Sequence, residues 1–178
     1  MHLSIDLETL GNSTDAAITQ IGLAEFNIET GETGRTKNIL VTWNGEGRVN
    51  ASTLAWWFRQ GDEARARMAE SLEKGVPLSG ALAQLSSFVR GIPDLEGVWG
   101  NGSTFDVTIL DSAYQRDGGT APWPFYAARD MRTIVDLAEK LHGFDKKAVE
   151  RIGTHHEAAD DAAHQARVIS AAYAALNG

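Results

Sequence analysis

The stretch Ser4-Ile5-Asp6-Leu7-Glu8-Thr9 decides how the rest of the chain is read. Apolar and acidic residues alternate there, and a period of two marks a strand with two unlike faces. Asp6 and Glu8 share one face, Ile5 and Leu7 the other. Two neighbouring carboxylates repel and are costly to bury unless a cation compensates them. A strand end reaching solvent would also carry them, so these residues alone leave a cation site and a solvated strand end both open.

Outward from this stretch, His2–Asp6 opens the first strand. Ala17–Asn27, with Ile18, Ile21, Leu23 and Phe26, reads as a second, and Thr36–Thr42 as a third after a Gly31/Gly34 turn. Ala51–Arg59 and Asp62–Glu70 read as short helices. Leu78–Arg90 places Leu78, Leu82, Leu85 and Val89 at helical spacing. Gly97–Asn101 is a further strand, followed by a helix from about Thr104 to Arg116. A loop with Pro122 and Pro124 leads to a helix over Arg129–Leu141, and a last helix covers His155–Asn177. Strands first and then alternating elements predict an α/β fold, a mixed sheet with helices on both faces.

Composition sets limits. A length of 178 residues predicts a single domain over 1–178, at the usual rate of roughly 150 residues per domain. The 43% hydrophobic and 22% charged content is ordinary for a globular α/β chain. No apolar run is long enough to span a membrane. A strand at the first residues leaves no room for a signal peptide, and the absence of cysteine excludes disulfides and thiolate zinc sites. A cytoplasmic protein is the expectation. The net charge of −8 argues against tight duplex binding, which needs a basic face. Four carboxylates holding two divalent cations would reduce that charge and make the site attractive to phosphate.

Asp106 follows Gly100-Asn101-Gly102-Ser103-Thr104-Phe105, where a strand turns into a helix. Ser103-x-x-Asp106 fits a capping box with no chemistry, and a carboxylate in a helix's first turn is also held ionised for a metal. Thr154-x-x-Glu157 fits a cap for the last helix, whose apolar stripe runs through Ala158, Ala162, Ala166, Ile169, Tyr173 and Leu176. At 3.6 residues per turn Asp161 falls roughly 80° from the centre of that stripe, and Asp160 about 180° away toward solvent. His164 also falls off the stripe and reads as surface. His156 lies five residues before Asp161; His155 and Asp160 repeat the spacing in a rival register that the helical wheel disfavours. Trp56 and Trp57 point about 100° apart on one short helix, so one is core and the other lines a groove or the surface. Arg129-Asp130-Met131-Arg132 offers phosphate contacts or, more simply, an internal ion pair.

Asp6-Leu7-Glu8-Thr9-Leu10-Gly11, Asn101-Gly102-x-x-Phe105-Asp106 and His156-x-Ala158-x-x-Asp161 occur in that order and resemble the three motifs of the DEDDh 3′→5′ exonucleases of the RNase H-like superfamily. Thr53-Leu54-Ala55-Trp56-Trp57, Ala64-Arg65 and Arg129-Asp130-x-Arg132-Thr133 are most similar to the bacterial and phage group with phage exonuclease A and exonuclease VIII-like domains. The resemblance implies an RNase H-like mixed five-stranded sheet flanked by helices. It implies two Mg²⁺ or Mn²⁺ ions on Asp6, Glu8, Asp106 and Asp161, with His156 as the base. It implies substrate contacts from Thr9, Leu10, Gly11, Trp56, Trp57 and Phe105. The implied partners are single-stranded DNA or RNA 3′ ends, released as nucleoside 5′-monophosphates, with no membrane involved and a homodimer left open. A non-catalytic nucleic-acid-binding module, an endonuclease of the same superfamily and a polymerase proofreading subunit are the rival readings.

Overall fold

In the computed structural model, which describes residues 1–178, β1 (His2–Thr9) is the middle strand of a five-stranded sheet. The other elements follow in the order β2 (Ile18–Phe26), β3 (Thr33–Leu40), α1 (Ala51–Trp57), α2 (Asp62–Lys74), α3 (Leu78–Arg90), β4 (Gly97–Gly100), α4 (Asp106–Arg116), β5 (Ala128–Asp130), α5 (Met131–His142) and α6 (Ala158–Asn177). The sheet order is β3-β2-β1-β4-β5, antiparallel among the first three strands and parallel from β1 to β5. No helix is long and apolar enough to cross a membrane.

The period-two reading of β1 holds in three dimensions. Leu3, Ile5 and Leu7 join Ile21, Leu23 and Ile39 in a core closed by α3 (Leu82, Leu85) and α4 (Ile109, Leu110). The opposite face carries Asp6 and Glu8 toward α6, beside a second core made by Ala24, Phe26 and Trp99 with α5 and α6. Leu10, Ala17, Trp57, Ala64 and Met68 form a third, smaller cluster.

Gly22 pairs with Asp6 across the β1–β2 ladder. A Cβ on Gly22 would lie 1.9 Å from the Ala158 carbonyl oxygen, so only glycine lets the start of α6 settle on the sheet there. Nearby, Gln20 Oε1 accepts from the Ala158 N–H at 3.4 Å and from Asn38 Nδ2 at 3.2 Å. The sheet register thus seats the first turn of α6 directly over Asp6.

Several local expectations are corrected. β1 extends to Thr9, and α2 continues to Lys74. The fifth strand, β5, occupies Ala128–Asp130, where the residue pattern predicted a helix; α5 begins only at Met131, capped by the Asp130 carboxylate accepting from the Thr133 N–H at 2.9 Å. Three residues are too few to show a period, and pairing with Val98–Gly100 decides the matter. α6 starts at Ala158, with Glu157 and not Thr154 as its cap.

Candidate active site

Carboxylate oxygens of Asp6, Glu8 and Asp161 lie within 4.8 Å of one another. β1 supplies the first two from adjacent positions on one face, and α6 supplies the third from its first turn. Asp106 stands outside that trio. The parallel β1–β4 ladder ends at Ile5↔Gly100, and Asp106 Oδ1 accepts the next available amide, Leu7 N–H, at 3.1 Å. The capping box expected at Ser103 is absent, because the N-cap is Phe105 and Asp106 is turned inward onto β1. Asp106 is only 3% exposed.

So much negative charge in little solvent has electrostatic consequences. Burial, and then the charges of Asp106 and Glu8, push the Asp6 carboxyl well above the usual carboxylate range. The Gln165 Nε2 donates to Asp6 Oδ1 at 2.6 Å and only partly opposes this. Burial raises Asp106 to about 7 against the pull of the Leu7 amide. Acids held this way are relieved by a bound cation, so the donor set fits hard divalent ions.

A loop forms the other wall. His156 sits at φ +65°, left-handed backbone that a non-glycine residue rarely adopts. Its N–H donates to Asp161 Oδ2 at 3.0 Å, and Thr154 N–H donates to Asp160 Oδ2 at 2.7 Å. The two aspartates therefore strap the loop to the helix, and Asp160 is partly buried, correcting its expected place in solvent. Arg151 bridges to Asp161 Oδ1. His156 Nδ1 is 3.5 Å from Glu8 Oε1, and its ring lies edge-on to Trp56 at 5.2 Å between centroids. His164, expected on the surface, is half-buried and lines the same cleft because the loop covers that side of α6. Burial depresses the pKa of His155 and His164, with Arg151 adding to both.

Two clefts meet here. The larger, about 630 Å³, holds Asp6, Glu8, Asp161 and His156 under a basic rim of Lys146, Lys147 and Arg151. The smaller, about 320 Å³, is lined by Thr9, Gly11 and Phe105. Leu7, Glu8 and Trp56 line both. Of the expected substrate contacts, Thr9, Gly11, Trp56, Trp57 and Phe105 thus line open space. Leu10 does not: its side chain is in the third core cluster, its N–H donates to Ala17 O at 2.8 Å, and its carbonyl accepts from Asn50 N–H at 2.9 Å. Trp57 is the core member of the tryptophan pair, 4% exposed, with Nε1 donating to Thr9 O at 2.9 Å; it shapes the cleft from behind, and Trp56 is the exposed one. The ion pair expected around Asp130 does not form. Arg129 donates to the Tyr126 and Ala128 carbonyls, and Arg132 Nε to Asn101 Oδ1 at 3.2 Å.

Sequence reading missed Gln165, although it lies one helical turn beyond Asp161 and so on the same face. It also passed over Lys146, Lys147 and Arg151, a basic concentration in an acidic chain.

Known proteins share this fold. An exodeoxyribonuclease of Enterobacteria phage T4 is 26% identical, the match covering 74% of this chain and 69% of the relative. The nuclease domain of 3′hExo, a DEDDh family member solved bound to rAMP, superposes with a TM-score of 0.67 at 14% identity, covering 99% of this chain and 92% of that one. Pop2p of S. pombe, solved with Mg²⁺ and Mn²⁺ bound, gives 0.63 at 19% identity, covering 95% and 81%. The 3′-5′ exoribonuclease Rv2179c-like domain family matches residues 1–173. The chain belongs to that family and is a 3′→5′ exonuclease, built on the same mixed-sheet fold as the DEDDh nuclease domain of 3′hExo.

Proposed function

We propose that the protein hydrolyses single-stranded DNA or RNA from the 3′ end, releasing nucleoside 5′-monophosphates. The observation that carries this is the convergence of Asp6, Glu8 and Asp161 within 4.8 Å where two clefts join. Asp6, Glu8, Asp106 and Asp161 would hold two Mg²⁺ or Mn²⁺ ions, which supply a water of lowered pKa and positive charge for the leaving oxygen.

The chain's own groups do the rest. His156, beside Glu8 and on the open side of the cleft, accepts the proton from the attacking water. Trp56 stands where a base stacks, a contact worth about 1–3 kcal/mol per base. Thr9, Gly11 and Phe105 meet the terminal nucleotide in the smaller cleft. Lys146 and Lys147 offset the overall negative charge where the phosphates run. The rAMP held by 3′hExo and the Mg²⁺ and Mn²⁺ held by Pop2p support the product class and the ions.

The test uses 5′-labelled RNA and DNA oligonucleotides with Mg²⁺, Mn²⁺ or EDTA, resolved on a sequencing gel. The expected result is a ladder shortening from the 3′ end only with metal, and the faster substrate identifies the sugar. Internal cuts in a circular substrate, or intact oligonucleotides under every condition, would overturn the proposal.

A further inference from the structure

His155 is the tandem partner of His156 and has no part in the chemistry above. Neighbouring residues ordinarily send their side chains apart, but the left-handed turn at His156 folds the loop back on itself. The two imidazoles meet edge-to-face with ring centroids 4.1 Å apart. One ligand atom from each of His155, His156 and Asp161 lies within 4.8 Å of the other two.

We propose that His155, His156 and Asp161 form an inhibitory transition-metal site, whose occupation by Zn²⁺ or a similar borderline ion turns the exonuclease off. This rests on the roles given above to His156 and Asp161. Two imidazoles and one carboxylate are the ligand type that selects Zn²⁺, Co²⁺ or Ni²⁺, whereas hard Mg²⁺ keeps to oxygen. In a tetrahedral zinc site, bonds of about 2.1 Å place the ligand atoms roughly 3.4 Å apart. The trio must therefore close by no more than about 1.4 Å, and the ring of His155, on an exposed loop residue, is free to do so. The entering ion replaces the Arg151 guanidinium on Asp161, one cation for another. Water completes the open fourth position.

Two of the three ligands are shared with the catalytic set. Asp161 also belongs to the carboxylate trio, so the ion competes with Mg²⁺ or Mn²⁺. His156, once ligated, no longer accepts a proton. The device is specific to a chain with a second histidine at this turn.

The experiment has two arms on the wild type and on His155→Ala. Co²⁺ is titrated without Mg²⁺ and followed by its visible d–d bands, which are intense for a four-coordinate ion with nitrogen ligands. Zn²⁺ is then titrated into Mg²⁺-supported hydrolysis. The expected wild-type result is intense Co²⁺ bands and Zn²⁺ inhibition that excess Mg²⁺ relieves. His155→Ala should keep its Mg²⁺ activity, lose the bands and need at least about tenfold more Zn²⁺ for half-inhibition, since losing even an outer partner of a ligand costs about 10–100-fold in metal affinity. Unchanged Co²⁺ bands or unchanged Zn²⁺ sensitivity in His155→Ala would overturn the site while leaving the exonuclease reading intact. A protein inactive with Mg²⁺ and Mn²⁺ would sink that reading instead, and the Co²⁺ arm would still decide whether His155 is a ligand.

Discussion

Asp6, Glu8 and Asp106 are held by the sheet, whereas His155, His156 and Arg151 are held by a loop, and the two walls of the cleft differ accordingly. The sheet wall is fixed by ladder register, by three hydrophobic clusters and by the Leu7 amide on Asp106. The loop wall hangs on backbone amides donated to Asp160 and Asp161 and on the Arg151 bridge. α6 joins them. Carboxylate charge is placed against the sheet ladder, and His156, the proposed proton acceptor, and the basic groups on the loop. Such a division suits a site that must grip ions firmly and still pass a polymer through.

The comparison breaks most visibly on the sheet side. Asp6→Asn or Asp106→Asn should abolish measurable turnover, a loss beyond the roughly 10²–10⁴ that a general base supplies. The fold should survive, because either change removes charge from a site where ionisation is opposed by burial; thermal melts in EDTA would show no decrease in Tm. On the loop side, His156→Ala should lower kcat by about 10²–10⁴ and leave Mn²⁺ binding, read by calorimetry, unchanged. A comparable loss in His155→Ala would move the base to the other register.

The seam between the walls responds next. Gly22→Ala drives a methyl into the Ala158 carbonyl, and overpacking of this kind costs about 1–3 kcal/mol. At roughly 2–4 °C per kcal/mol for a chain of this size, calorimetry should show a clear fall in Tm. Activity should fall with it, since Asp161 is carried away from Asp6. A Gly22→Ala protein with wild-type turnover would show that the seating of α6 does not set the site.

A gentler probe is pH. Asp106, raised to about 7, and Asp6, raised with it, keep their protons in the folded metal-free protein after the unfolded chain has released its own. Their contribution to stability in EDTA, read as the Tm difference between wild type and Asp106→Asn, should therefore be fullest below the ordinary carboxylate value and be lost as pH rises toward about 7. Mg²⁺ should remove most of that loss. A metal-free Tm difference that moves in favour of the wild type over the same range would contradict the assigned burial of these acids.

These contrasts also explain what was legible in the sequence. Alternation exposed the two faces of β1, and the helical wheel separated Asp161 from Asp160, because both depend on local periodicity. The capping box at Ser103 misled because a tertiary contact overrides it, Asp106 serving Leu7, and the one at Thr154 because a local rival, Glu157, caps α6 by accepting from the Asp160 N–H. Leu10 was drawn to the substrate by resemblance, whereas packing places it inside. Gln165 was invisible since a glutamine on an alanine-rich helix announces nothing until its partner, 159 residues away in sequence, is known.

The left-handed backbone at His156 has a consequence for how this protein tolerates change. A side chain in that conformation is strained by about 1–2 kcal/mol relative to glycine. His156→Gly should thus melt higher than the wild type while being catalytically dead, and a lower Tm would show that the imidazole's packing outweighs the strain. If it melts higher, the loop wall is a place where stability and activity are opposed. Selection for robustness alone would then act against the exonuclease on the loop as well as at the buried carboxylates of the sheet.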